Sequence, residues 1–187
     1  MRASEAIRGR RSIKRFADRP VTRSEIESLL DAAILAPNHH LTNPWRFYVR
    51  GPEARAAYGL ALGNRKAKKL TDADAAQKLR ETVASEHRAL PAMIAVAMVV
   101  NEEDAEKREE DYAATMMAVQ NINLAATEMG LGTAMKTGAI MSDPAARAAA
   151  GVAENERIVV VVNVGTPAEV PPAKPRVPAS QLTVWRP

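Results

Sequence analysis

Arg10-Arg11-Ser12-Ile13-Lys14-Arg15-Phe16 gathers four cations and a hydroxyl between Arg10 and Arg15, near the amino end of the chain. Arginine offers a planar fork of donors that matches phosphate oxygens, serine adds a short donor, and lysine supplies a movable point charge. Such a stretch is suited to a phosphate or another compact anion; the competing readings are a solvated basic turn and a nucleic-acid arm. A second unusual stretch follows: Ala36-Pro37-Asn38-His39-His40-Leu41-Thr42-Asn43-Pro44-Trp45-Arg46-Phe47.

Between and beyond these two, apolar spacing and punctuation predict mixed helix and strand. Ser4, Glu5, Ala6 and Ile7 open a short helix that ends near Gly9. Thr22-Arg23-Ser24-Glu25 is a capping box, and the helix behind it carries Ile26, Leu29, Leu30, Ala33 and Ile34 before Pro37 stops it. Trp45 to Val49 reads as a strand, with Trp45 mainly a packing residue. Residues 53–90 are charged and alanine-rich, helical in character, interrupted at Gly59, Gly63 and Asn64, and suited to a variable lid or dimer-covering element. Met93 to Val100 is a buried-strand run. An acidic turn at 102–110 leads into a helix from Tyr112 through Met129, apolar on nearly all sides, which Gly130 and Gly132 end. Ser142-Asp143-Pro144 starts a short helix running into Gly151, and Arg157 to Val164 is a second continuous strand, apolar on both faces and therefore central. Residues 167–187 form an arm held extended by Pro167, Pro171, Pro172, Pro175 and Pro178, with Gln181-Leu182-Thr183-Val184-Trp185 as a short terminal strand.

At 187 residues the chain is one domain, long enough to bury roughly 70% of the surface it exposes unfolded. The seven aromatic residues are too few to fill a core, so Ala, Val, Leu, Ile and Met must do so. The absence of cysteine excludes disulfides, thiolate metal sites and a cysteine nucleophile, and is compatible with a cytoplasmic setting. A net charge of +4 favours anionic partners, but the charges are spread along the chain, which argues against nucleic acid. No apolar run is long enough to span a bilayer. Adjacent His39 and His40 face opposite ways in an extended segment, and only His87 remains elsewhere, so no metal site is expected. Gly130-Leu131-Gly132 lacks the third glycine and the preceding strand of a dinucleotide fold. No nucleophile or acid–base pair stands out.

Taken in order, "RRSIKRF", "APNHHLTNPWRF", the Gly130 to Gly138 stretch "GLGTAMKTG", Val164-Gly165-Thr166-Pro167 and Lys174-Pro175-Arg176 resemble the nitroreductase family of FMN-dependent oxidoreductases. The resemblance implies an α+β domain with a central, mostly antiparallel sheet flanked by helices. It also implies a homodimer with FMN in each of two interfacial sites and the C-terminal arm exchanged between subunits; a frayed tail is the alternative for that arm. By the same resemblance, Arg10 and Ser12 face the flavin phosphate and ribityl chain, Arg11 adds backbone or side-chain donors, and Lys14 approaches the pyrimidine edge of the ring. Pro37, Asn38 and His39 come from the other subunit, unless the two histidines are plain loop residues. Met135, Lys136 and Thr137 form a turn near flavin N5 and O4, with Met135 where some relatives carry an aromatic residue and Lys136 where some carry arginine. Arg176 matches a late phosphate-binding arginine, unless it belongs to a solvated arm. The implied reaction takes hydride from NADH or NADPH and reduces a small-molecule acceptor, nitroaromatic, quinone or related, by a ping-pong route. The flavin carries the chemistry, so no catalytic side chain is assigned. The rival reading is a non-redox module that uses the basic stretch for nucleic acid or an anionic ligand.

Overall fold

Strands that are apolar on both faces need a cover on each side, and two stretches of this chain impose that requirement. The computed structural model describes residues 1–186, with strands at Trp45–Val49 (β1), Ala92–Val99 (β2), Gly132–Lys136 (β3) and Glu156–Gly165 (β4). They form one antiparallel sheet in the order β1-β2-β4-β3, which puts the two continuous apolar runs at its centre. Helices occupy Ala3–Gly9 (α1), Arg23–Ala33 (α2), Pro52–Ala67 (α3), Ala73–Arg88 (α4), Ala105–Glu128 (α5) and Pro144–Ala150 (α6). Ile94, Val96, Val160 and Val162 pack under α2 and α5; Met93, Ala95, Ile158 and Val161 pack under α3 and α6. The α+β architecture with a central antiparallel sheet is as expected from the sequence. The second core holds a buried cation: Arg50, only 4% exposed, lies over the Tyr58 ring, and burial pushes the Tyr58 phenol up to about 12.

The capping box forms as read. Thr22 Oγ1 accepts from the Glu25 amide at 3.2 Å, and the Glu25 carboxylate accepts from the Thr22 amide at 2.8 Å. Arg19 donates to that carboxylate at 2.8 Å and to Thr166 Oγ1 at 2.6 Å, tying α2 to the chain leaving β4. The Arg19 guanidinium, and after it the Thr22 amide, hold the Glu25 carboxyl down to about 2.

Four expectations need correction. Gly59 and Gly63 do not interrupt a helix; they lie inside α3 and let α4 approach it, since a Cβ on Gly59 would sit 2.7 Å from the Val83 carbonyl oxygen and one on Gly63 2.9 Å from Arg80 Cα. The acidic turn ends sooner than read, because Asp104 caps α5 by accepting from the Lys107 amide at 2.9 Å and Glu106 suits the positive helix start. Helix α5 buries Ala114, Ala118, Ile122 and Ala126, yet Tyr112 is 42% and Met117 41% exposed, so its apolar surface is only partly covered within one chain. Residues 181–185 form no strand: a 3₁₀ turn at Ala179–Gln181 replaces it, and Trp185 is 89% exposed. A strand needs an edge to pair with, and the prolines before it hold the arm away from the sheet.

Alanine normally stabilises a helix interior by about 1 kcal/mol over glycine, but the Val83 carbonyl facing Gly59 is backbone and cannot turn aside. Gly59→Ala should therefore destabilise the fold by about 1–3 kcal/mol in urea denaturation. Because the Glu25 carboxyl is held below its ordinary 4.5, its contribution is complete above that pH and is lost as pH falls towards 2. Arg19→Met should melt at a lower temperature than the wild type at neutral pH, with the gap narrowing across that acid window.

Candidate functional site

The basic stretch lies along the open edge of the sheet, parallel to β3. Ser12 bridges Thr133, the Ile13 amide donates to the Thr133 carbonyl at 2.8 Å, and Phe16 bridges Pro167. Ile13 is 2% exposed and is the anchor. It fits because Gly132 has no side chain: a Cβ there would lie 3.0 Å from Ile13 Cβ and nearer still to its Cγ1. Gly165, paired with Gly132 in the β3–β4 register, makes the same allowance for Phe16, whose Cδ1 would be 2.8 Å from an added Cβ. Ala17 N donates to Thr166 O at 2.8 Å and Ala168 N to Arg15 O at 3.1 Å, closing the far end.

Alternation then turns the chemistry outward. Ser12 and Lys14, either side of buried Ile13, are exposed, and Arg10 is half-buried. Among the described residues, no hydrogen bond or ion pair engages the side chains of Arg10, Ser12 or Lys14, so their donors are available. Arg11 is different. Its guanidinium folds back onto the carbonyls of Arg8 at 2.6 Å and Arg10 at 2.9 Å, which makes it a brace for the turn. Arg15 pairs with Glu169, as a lone arginine in such a run is apt to do.

Met135 and Lys136 are the last residues of β3, not part of a turn; the turn starts at Thr137 and Gly138, whose φ is 107°. Gly132 opens this strand and so does not end α5, a role left to Gly130 with φ 72°. The parallel bridge brings the basic stretch beside β3, and Lys14 and Met135 each stand two residues past it. Two residues that the sequence reading missed fix this corner. Buried Asn123 on α5 accepts from Thr133 Oγ1 at 2.7 Å and donates to Met135 Sδ at 3.4 Å. Three amides, Gln120, Asn121 and Asn123, stand in the apolar half of α5, and only the fold shows that Asn123 is the buried one.

Pro37, Asn38 and His39 lie elsewhere. Asn38 organises their loop, donating to Thr42 Oγ1 at 2.9 Å and accepting from the Asn43 amide at 2.7 Å, while His40, Leu41 and Asn43 take positive φ. Thr42 bonds buried Asp111, and His39 Nδ1 lies 2.9 Å from Glu110 Oε1, both near the start of α5. A cleft of about 510 Å³ opens beside the loop, lined in part by Thr42, Asn101, Lys107 and Asp111. Asp111 and Asn123 are separated along the α5 axis by roughly 18 Å. One chain therefore does not bring Pro37–His39 together with Arg10–Lys14. Arg176 is exposed on the arm, with no bond to either group among the described residues.

His39 and His40 do not lie on an extended segment. The segment is a turn, and the left-handed His40 stacks its ring on His39 with centroids 3.7 Å apart, so both rings and Glu110 sit on one side. One donor atom from each ring and one from Glu110 lie within 4.8 Å of one another.

A profile of the nitroreductase family matches residues 7–166. A provisionally named NAD(P)H nitroreductase of Bacillus subtilis, YfhC, is 35% identical over 178 residues, which span 93% of this chain and 89% of that protein. The crystal structure of a nitroreductase-like family protein from Bacillus cereus is similar with a TM-score of 0.84 at 30% identity, covering 100% of this chain and 96% of the other. A provisionally assigned nitroreductase from Desulfovibrio desulfuricans, solved in complex with FMN, has a TM-score of 0.74 at 26% identity, with 99% and 96% of the two chains covered.

Seating of Ile13 on Gly132 sets where the basic stretch lies. Gly132→Ala should displace it, costing about 1–3 kcal/mol in denaturant melts and weakening retention of whatever anion the stretch holds, whereas Gly151→Ala, with open space around it, should affect stability alone.

Proposed function

The chain belongs to the nitroreductase family, and from that premise we propose that it is an FMN-dependent oxidoreductase, drawing on NADH or NADPH and reducing a small organic acceptor of the nitroaromatic or quinone class. The observation that carries this reading is the row of unengaged donors, Arg10, Ser12 and Lys14, held beside the exposed end of β3 by buried Ile13. A phosphate monoester is close to doubly charged and needs several donors, and arginine and serine supply them in fork and point geometry. The donor set fits such a group.

When bound, FMN supplies hydride acceptance from the nicotinamide and delivery of electrons to the acceptor, the two substrates taking turns in one cleft. The chain's own contribution is to bind and orient. Arg10 and Ser12 hold the phosphate and ribityl end. Lys14 brings a cation to the ring edge where negative charge gathers on reduction, and Lys136 stands as a second. Met135, held through its sulfur by Asn123, fills the place beside the ring with an apolar side chain.

A second copy of the chain completes the site. Pro37–His39 lie at the opposite end of α5 from the basic stretch, and a partner running the other way would return them to it. The uncovered surface supports such pairing. Leu35 is 79% exposed at the end of α2, Tyr112 and Met117 remain open on α5, and an apolar groove between α1 and α5 includes Ala6, Leu35 and Leu124. The arm after Pro167 carries exposed Leu182, Val184 and Trp185, an apolar tip suited to the partner's surface, with Arg176 carried towards the shared phosphate. A cytoplasmic location is part of this proposal and agrees with the cysteine-free composition.

The purified protein should be yellow, run as a dimer and lose its flavin on dilution when Arg10→Ala or Lys14→Ala is introduced, with Lys14→Ala also lowering the flavin potential. A colourless protein indifferent to added FMN would contradict the reading, and steeply salt-dependent retention of DNA by that protein would favour the nucleic-acid alternative.

A further inference from the structure

Arg65-Lys66-Ala67-Lys68-Lys69 sets four cations in five positions at the carboxyl end of α3. The negative end of a helix dipole favours cations there, so an isolated cluster would be ordinary. This one has particular surroundings. All four cations are exposed around buried Ala67, and none forms an ion pair among the described residues. The first acid that follows it in sequence is occupied otherwise, since Asp72 caps α4 by accepting from the amides of Asp74 at 2.9 Å and Ala75 at 3.3 Å.

One turn or two upstream, Tyr58 and Ala61 of α3 pack with Ile140 and Met141, which follow directly on Gly138. This contact sets α3 against the segment that follows β3, at whose exposed end Lys136 stands. His87 of α4 lies beside Tyr58. Its Nδ1 donates to the Val83 carbonyl at 2.7 Å and its ring tilts over Tyr58 at 5.7 Å between centroids. Burial lowers the His87 pKa and the Val83 bond opposes it; Lys66 and Lys136 lower it further against Glu86, so both lysines act on the same imidazole.

We propose that this end of α3, centred on Lys66, receives the 2′-phosphate of a nicotinamide dinucleotide, so that the enzyme takes NADPH in preference to NADH. The two reductants differ only in that group, a phosphate monoester in one and a hydroxyl in the other, and a cluster of unpaired cations discriminates between them by charge alone. The proposal rests on the flavin-site reading for the place of the nicotinamide, with the adenosine end extending from β3 towards α3.

Calorimetry of the full chain with 2′,5′-ADP and with 5′-AMP requires no turnover. The wild type should bind the first about tenfold more tightly, Lys66→Ala/Lys69→Ala should remove that difference, and Lys66→Arg should keep it. In the flavin-loaded enzyme the double variant should lower the ratio of kcat/KM for NADPH to that for NADH about tenfold. Equal binding of the two nucleotides by the wild type, or a ratio unmoved by the double variant, overturns the proposal. Loss of flavin from the double variant overturns it as well, because the cluster then serves the FMN phosphate. So does DNA retention that falls in the variant while the ratio holds. Selective binding of 2′,5′-ADP by a protein that never takes up flavin would uphold this site and defeat the functional reading instead.

Discussion

Two absent side chains hold the site in place. Gly132 and Gly165 face one another across β3 and β4, and the room they leave is filled by Ile13 and Phe16. The basic stretch has no regular secondary structure to stiffen it, only isolated bridges and a few backbone bonds. Exposed arginines and lysines cannot fix a backbone, because water competes for every bond they offer. Burying a side chain such as Ile13 contributes about 1.5–3 kcal/mol, more than any surface ion pair in the segment. The apolar residues hold the chain, and the polar ones between them are left free for a ligand.

Helix α5 organises the rest. Near its start Asp111 secures the loop that carries Asn38 and His39; near its end Asn123 secures Thr133 and Met135. The same two regions lie at opposite edges of the sheet, since the loop feeds β1 and the basic stretch borders β3, and those two strands are roughly 14 Å apart across three strand spacings. Three residues of the loop hold left-handed backbone without being glycine, a conformation that costs of order 1–3 kcal/mol each. Asn38 and Asp111 supply the bonds that keep it so.

Much of this was legible in the chain itself. Thr22 and Glu25 announce a helix start because a capping box is wholly local; the apolar run of β2 announces a buried strand, and the valine run of β4 a central one because both of its faces need cover. The Arg10 to Phe16 stretch marked itself by charge density. What escaped was non-local. Gly59 and Gly63 look like helix breakers in sequence, and only the presence of α4 across from them shows that closeness is their purpose. Met135 and Lys136 looked like turn residues because strand character at β3 comes from pairing with β4 rather than from a pattern of five residues. His39 and His40 were read on an extended backbone, and one left-handed residue reversed the relation of their rings. Arg11 could not be told from Arg10 until the fold showed which guanidinium turns back on its own helix end.

The proposed division of the site between the two ends of α5 has a thermodynamic consequence. If each pocket is built from two molecules, cofactor loading and subunit association are linked equilibria, and each must strengthen the other by the same factor. Apparent affinity for the prosthetic group then carries the protein's own concentration within it. Scarce chains would be empty as well as solitary, so abundance itself would act as a threshold for having any capacity at all.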